Sequence, residues 1–124
     1  MIDPVQPVKV LIADDDGPFC DAMSAVLKLK TYVTEVRTAQ RGLQALYSCV
    51  DFEPEVVFID SLMPAMDGDV LGSKVRSLLP TARLVSISGS TKEKPSWADI
   101  HVTKGGFLFD RMDETVMGGA PDRT

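Results

Sequence analysis

Apolar residues fall along this chain in two rhythms. Short runs rich in β-branched residues stand at Val8-Lys9-Val10-Leu11-Ile12-Ala13, Val56-Val57-Phe58-Ile59, Arg83-Leu84-Val85-Ser86-Ile87-Ser88 and Ile100-His101-Val102-Thr103. Runs of this length and make-up read as strands, and the four apolar residues at 56–59 as a strand buried on both faces. A fifth, shorter strand is expected from about Tyr32 to Arg37. Between the runs, apolar residues recur at helical spacing. Phe19, Met23, Val26 and Leu27 predict a helix from about Pro18, which suits a first turn, to Lys30. Ala39, Leu43, Leu46 and Val50 predict the apolar stripe of a second helix, with Gly42 as its weak point. Val70, Leu71, Val75 and Leu78 predict a third, capped by Asp67 and stopped at Leu79-Pro80. Leu108, Met112 and Val116 predict a last helix over 107–117, ended by Gly118-Gly119 and followed by a frayed tail.

One interval breaks the alternation. Lys92-Glu93-Lys94-Pro95-Ser96-Trp97-Ala98 carries a proline at its centre, and only Trp97 and Ala98 suit a core. It predicts a single turn or an irregular loop. Strand–helix units joined this tightly imply a parallel sheet with helices on both faces, an α/β fold. The chain has 124 residues, enough for one domain that buries about two-thirds of its unfolded surface.

The strand ends carry the chemistry. In open parallel sheets, ligands bind outside the carboxyl ends of the strands. There the chain places Asp14-Asp15-Asp16, Asp60, Ser88 and Lys104. Each has a bland reading alone: Asp60 as a turn cap, Ser88 as a turn residue, Lys104 as a solvated lysine, Asp16 as a charge favourable at a helix start. Two buried strands that both end in carboxylates point instead to one acidic pocket. Crowded carboxylates raise one another's pKa values, and a hard divalent cation such as Mg²⁺ relieves them. An aspartate between Mg²⁺ and an ammonium is prepared to accept a phosphoryl group. Ser88 could then donate a hydrogen bond to a phosphoryl oxygen.

Charge and composition narrow the partners. The net charge is −5 and no basic run appears, which weighs against nucleic acid and anionic membranes. The first seven residues do not read as a signal peptide, and no apolar run reaches a membrane span. Cys20 and Cys49 are far apart and lie in helix-like stretches, so they read as reduced core thiols of a cytoplasmic protein. His101 is the only histidine, which excludes multi-histidine metal sites.

Taken together, Leu11-Ile12-Ala13-Asp14-Asp15-Asp16, Asp60, Met63-Pro64-Ala65-Met66-Asp67-Gly68, Ser88-Gly89 and Lys104 resemble the receiver domain of two-component response regulators. The likeness spans about residues 8 to 117. It implies a flavodoxin-like (βα)5 three-layer sandwich of strand order 2-1-3-4-5, a single receiver domain over residues 1–124 with tails at 1–7 and 118–124. It further implies Asp60 as phospho-acceptor and Asp15 as direct Mg²⁺ ligand. Asp14 would act on the metal through water, and the Leu62 backbone carbonyl would be a third ligand. Ser88 stands where the family has a Thr or Ser that moves toward the phosphoryl group. Lys104 matches the phosphate-pairing lysine, and His101 stands where a Tyr or Phe usually rotates inward. A histidine kinase or histidine phosphotransfer protein would supply the phosphoryl group. The receiver catalyses its own phosphorylation and dephosphorylation rather than acting on an external small molecule.

The chain departs from the pattern in two places. Gly105 replaces the proline common after the lysine, and the interval from Ser88 to Lys104 is short by about a turn and a half of helix, so helix four is expected to be short or missing. Leu62 and Ser90 flank the expected path of the hydrolytic water. An apolar Leu62 predicts slow self-dephosphorylation, and a histidine at 101 predicts a switch sensitive to pH near neutrality. Rival readings are an unphosphorylated pseudo-receiver that binds protein, a Mg²⁺-dependent phosphohydrolase and a flavin-binding domain. Leu62 counts against the second, where a further catalytic Asp is usual, and Asp14-Asp15-Asp16 would repel the phosphate of the third.

Overall fold

A computed structural model describes residues 7–90 and 93–118. Of the tails expected at 1–7 and 118–124, residues 1–6 and 119–124 lie outside the described residues, as do Thr91 and Lys92. In chain order the elements are β1 (Val8–Ala13), α1 (Gly17–Lys28), β2 (Val33–Ala39), α2 (Gly42–Phe52), β3 (Val56–Asp60), β4 (Leu62–Met63), β5 (Met66–Asp67), α3 (Gly68–Leu78), β6 (Arg83–Ser88), β7 (Ile100–Thr103), α4 (Gly106–Asp110) and α5 (Met112–Met117).

Five strands form one parallel sheet in the order β2-β1-β3-β6-β7, the 2-1-3-4-5 order of the long strands. β3 is central and every residue of it is buried, as its unbroken apolar run requires. Helices cover both faces. On one side Leu11, Val57, Ile59 and Leu84 pack with Ala45, Cys49, Leu71, Val75 and Trp97. On the other, Val10, Ile12, Phe58, Val85 and Ile87 pack with Cys20, Met23, Leu27, Leu108, Met112 and Val116. This is the expected three-layer sandwich. The second face includes all three residues predicted to point inward from the last helix.

Four details differ from the sequence-based picture. The buried stripe of α2 is Gly42, Ala45, Cys49 and Phe52, while Leu43 and Val50 are exposed and Ala39 belongs to β2. The small residues Gly42, Ala45 and Cys49 on this face let the helix approach its neighbours; at Gly42 a Cβ would lie 2.9 Å from the Met66 Cβ. On α3 the buried set is Gly68, Leu71, Gly72 and Val75, and Val70 and Leu78 are half-exposed. The last helix is two short ones, α4 and α5, broken at Arg111 with φ −113° and ψ 26°. The loop after Asp60 folds into a tiny antiparallel hairpin, Leu62 opposite Asp67 and Met63 opposite Met66, with Ala65 at φ 64°.

No helix forms between β6 and β7 among the described residues. Trp97 takes over part of its covering role. Its ring lies on α3 at Gly72, where a Cβ would sit 2.2 Å from the indole, and its Nε1–H donates to Asp69 at 3.0 Å. A side chain on that turn of α3 would exclude the ring, which is why glycine stands there. Arg76 secures the same loop by donating to the Trp97 carbonyl at 3.0 and 3.2 Å and to Asp99 at 2.9 Å.

Candidate functional site

Register decides which strand ends meet. Ala13 is paired with Ile59, so Asp14 and Asp60 stand at one level on neighbouring strands. Asp60 is paired with Ile87, and Ser88 with Thr103, which sets Lys104 one step beyond the end of β6. The Lys104 N–H donates to the Ser88 carbonyl at 2.8 Å and fixes that step. Gly68 lies so close to the Asp60–Ser61 backbone that a Cβ would fall 2.6 Å from the Asp60 carbonyl oxygen. The turn after the aspartate thus closes tightly against it.

The side chains converge accordingly. One carboxylate oxygen from each of Asp14, Asp15 and Asp60 lies within 4.8 Å of the other two. Asp14 and Asp60 are buried and Asp15 is exposed. The Lys104 ammonium lies 2.8 Å from Asp14 Oδ2 and 3.8 Å from Asp60 Oδ2. The Asp60 carboxylate also accepts the Leu62 N–H at 3.3 Å, and Asp14 accepts the Asp16 N–H at 2.9 Å. Asp16 itself caps α1, accepting the Phe19 N–H at 3.1 Å, in line with its reading as a helix-start charge.

Three carboxylates against one ammonium leave surplus negative charge in a largely buried pocket. The Asp60 carboxyl is pushed up to about 6 from 3.8. Burial is the main cause and the Asp14 charge the second, while the Leu62 N–H and Lys104 pull the other way. Lys104 is raised: burial opposes its charge, but contact with Asp14 outweighs the burial. Hard oxygen donors with unbalanced charge are what a small divalent cation takes, so the residues present fit Mg²⁺.

Phe19 was read from the sequence only as a core position of α1. Its ring lies beneath the Lys104 ammonium, 4.6 Å from the centroid, and meets the Phe109 ring edge-on at 6.3 Å. An aromatic face attracts a cation held over it. No local signal marks Phe19 for this place, because the contact joins α1 to Lys104, far along the chain just after β7. Leu62 is 80% exposed and stands beside Asp60 on the first strand of the small hairpin. Ser88 closes β6, buried, with its hydroxyl donating to the Ser90 carbonyl. His101 lies on β7 and contacts both Ser88 and Ser86. Ser86 was not singled out from sequence, although a hydroxyl inside an apolar strand, two residues before Ser88, was a visible signal.

The response regulator receiver domain model matches residues 10–114. The chain belongs to this family. Over 94 residues this receiver is 32% identical to a protein-glutamate methylesterase/protein-glutamine glutaminase of Symbiobacterium thermophilum, covering 75% of this chain and 26% of that protein. Over 82 residues it is 32% identical to the transcriptional regulatory protein YesN of Bacillus subtilis, covering 65% of this chain and 22% of that protein. The receiver therefore spans about a quarter of the length of these relatives. Among solved structures it is similar to the CheX–CheY complex with BeF3 and Mg²⁺ from Borrelia burgdorferi, with a TM-score of 0.79 and 23% identity over 91% of this chain and 89% of that one. The sheet order and the flanking helices are those of the CheY-like fold.

Proposed function

We propose that Asp60 is the phospho-acceptor of this receiver and that Mg²⁺ is held by Asp15 and Asp60, with Asp14 acting through water and the Leu62 carbonyl as a further ligand. The observation that carries the reading is the meeting of Asp14, Asp15 and Asp60 within 4.8 Å while Lys104 bridges Asp14 and Asp60. A carboxylate oxygen of Asp60 attacks the phosphorus of a phosphohistidine on a histidine kinase or histidine phosphotransfer protein. The O–P bond forms as the N–P bond breaks, and the departing imidazole takes up a proton. Lys104 balances charge on the transferred oxygens, and Ser88 donates its hydroxyl to one of them. When bound, the metal supplies charge neutralisation at those oxygens. Because burial raises Asp60, neutral pH is needed to keep its nucleophile ionised.

The added charge on Asp60 then biases a two-state surface at β6 and β7 toward a protein partner, with the chain as one receiver domain acting in the cytoplasm. The buried, unpaired thiols of Cys20 and Cys49, each pushed up to about 11 chiefly by burial, suit a reducing compartment. The test is incubation with acetyl phosphate and Mg²⁺, read by intact mass. The parent should gain one phosphoryl group and Asp60→Asn none. A parent that stays unmodified, by acetyl phosphate and by every phosphohistidine donor tried, would leave the second reading, a pseudo-receiver used as a binding module. The absence of a helix among the described residues between β6 and β7 is the observation that favours it.

A further inference from the structure

The pattern of β6 and β7 builds a polar chain that ends at the pocket. Side chains two apart on a strand share a face, so Ser86 and Ser88 point the same way. Leu84, two residues earlier, places that face on the α2–α3 side of the sheet. His101 is the register partner of Ser86 on the adjacent parallel strand. Its ring spans both hydroxyls: Ser86 Oγ lies 2.8 Å from Nδ1 and Ser88 Oγ lies 3.2 Å from Nε2. Ser86 is fully buried, and its hydroxyl stands between the apolar Val85 and Ile87 of β6. An unpaired hydroxyl there would be costly, so the imidazole satisfies it.

Proton counting fixes the direction of the chain. A hydroxyl has one proton to donate, and a carbonyl only accepts. The Ser88 hydroxyl donates to the Ser90 carbonyl. Ser88 Oγ is therefore the acceptor toward the ring, and Nε2 must carry the hydrogen. In a neutral imidazole Nδ1 is then the acceptor, and Ser86 donates to it. Ser86, His101 and Ser88 form one directed series whose last proton rests on the Ser90 carbonyl.

We infer that His101 is a positioning residue, held in its Nε2–H form by Ser86, that anchors the Ser88 oxygen while leaving the Ser88 proton free to turn. This rests on the assignment of Asp60 as the phosphorylated residue. With Asp60 unmodified, the Ser88 proton points to the Ser90 carbonyl. With a phosphoryl group on Asp60, it turns to a phosphoryl oxygen and releases that carbonyl. The bond from Nε2–H to Ser88 Oγ persists in both states and draws electron density from the oxygen, which makes the hydroxyl a better donor. Release of the Ser90 carbonyl then carries the signal into the Gly89–Ser90 turn.

The experiment is long-range ¹H–¹⁵N NMR of the single histidine at about pH 8, where an ordinary imidazole is neutral. The expected spectrum is one Nε2–H tautomer in the unmodified parent, kept after addition of beryllofluoride and Mg²⁺, with amide shifts at Gly89 and Ser90. Ser86→Ala should give a mixture of tautomers and lower the acetyl phosphate reaction rate by no more than about twofold, because the Nε2–H form that remains still donates to Ser88. His101→Gln, which keeps an N–H donor, should retain the parent rate, and His101→Phe, which removes the donor outright, should lose about fivefold, the worth of one net hydrogen bond. An Nδ1–H tautomer in the parent overturns the inference. So does equal reactivity of the Gln and Phe variants. These results are separate from the phospho-acceptor test: the tautomer is read without phosphate, and a parent that never accepts phosphate refutes the Asp60 assignment while the ring geometry stands.

Discussion

Replacing Asp60 by Asn should stabilise the metal-free fold at neutral pH. An aspartate carboxyl ionises near 3.8 in the open chain, and in the folded protein it is pushed up to about 6, mainly by burial. At neutral pH the folded state thus carries a carboxylate it holds less readily than the unfolded chain does. That gap corresponds to about 3 kcal/mol at full ionisation. Asn has nearly the same shape, can still accept the Leu62 N–H, and carries no charge. Local relaxation takes up part of the gain, so a net 1–3 kcal/mol is expected, roughly 3–10 °C in Tm for a chain of this size. The sign with pH follows from the raised value. Because the folded state binds the extra proton, parent stability from this group falls as pH rises from about 4 to about 6 and stays lost above it. The advantage of Asp60→Asn should be full at about pH 7.5 and shrink below pH 6. Urea and thermal melts in EDTA across that range measure it. An Asn variant no more stable than the parent at neutral pH, or an advantage that does not shrink on acidification, would refute the electrostatic account of the pocket. Added Mg²⁺ should stabilise the parent more than the variant, by mass action on the folded state alone.

Other substitutions test separate parts. Lys104→Ala removes the partner 2.8 Å from fully buried Asp14 and should cost about 3 kcal/mol in urea melts in metal-free buffer; a change under 1 kcal/mol would mean the pair is well solvated. Gly72→Ala puts a methyl where the Trp97 ring lies, so tryptophan emission should shift to the red and stability should fall by about 2 kcal/mol despite the gain in helix propensity; unchanged emission would contradict the packing. Leu62→Asn exposes the phosphoryl group to an amide that can orient water, and should shorten the phospho-Asp60 lifetime several-fold, followed by loss of label after removing the donor. Stability should move by less than about 0.5 kcal/mol, because Leu62 is 80% exposed.

The pocket was legible because it depends on strand ends, and strand ends are marked by where apolar runs stop. Val8–Ala13 and Val56–Asp60 are bounded where the sequence suggests, and one pairing, Ala13 with Ile59, brings Asp14 beside Asp60. The face of α2 was not legible. Of the expected stripe, Leu46 packs partly buried against the core, while Leu43 and Val50 are exposed and Ala45, Cys49 and Phe52 are buried, because the close approach of α2 at Gly42 turns that side inward. The break at Arg111 was hidden for a related reason. Leu108, Met112 and Val116 keep their spacing across it and are all buried, so periodicity shows no interruption. The pairing of Ser86 with His101 needs the register of two strands 15 positions apart in sequence. Neither residue points to the other locally.

The loop between β6 and β7 links these observations to output. Its far end is tied down: Asp99 accepts the Leu84 N–H at 2.8 Å and pairs with Arg76 at 2.9 Å, and Trp97 is locked onto Gly72. Its near end begins with Gly89 and Ser90, both exposed, and the Ser90 carbonyl accepts the hydroxyl of Ser88. On the proposed reading, a change at the pocket that withdraws the Ser88 proton acts on this near end. Trp97 and Arg76 hold the far end to α3, so the expected response to phosphorylation lies at residues 89–90. On the proposed reading, a partner that distinguishes the phosphorylated receiver should read that turn and the adjoining β7 edge, and substitutions at Trp97 should alter stability more than they alter the phosphorylation response.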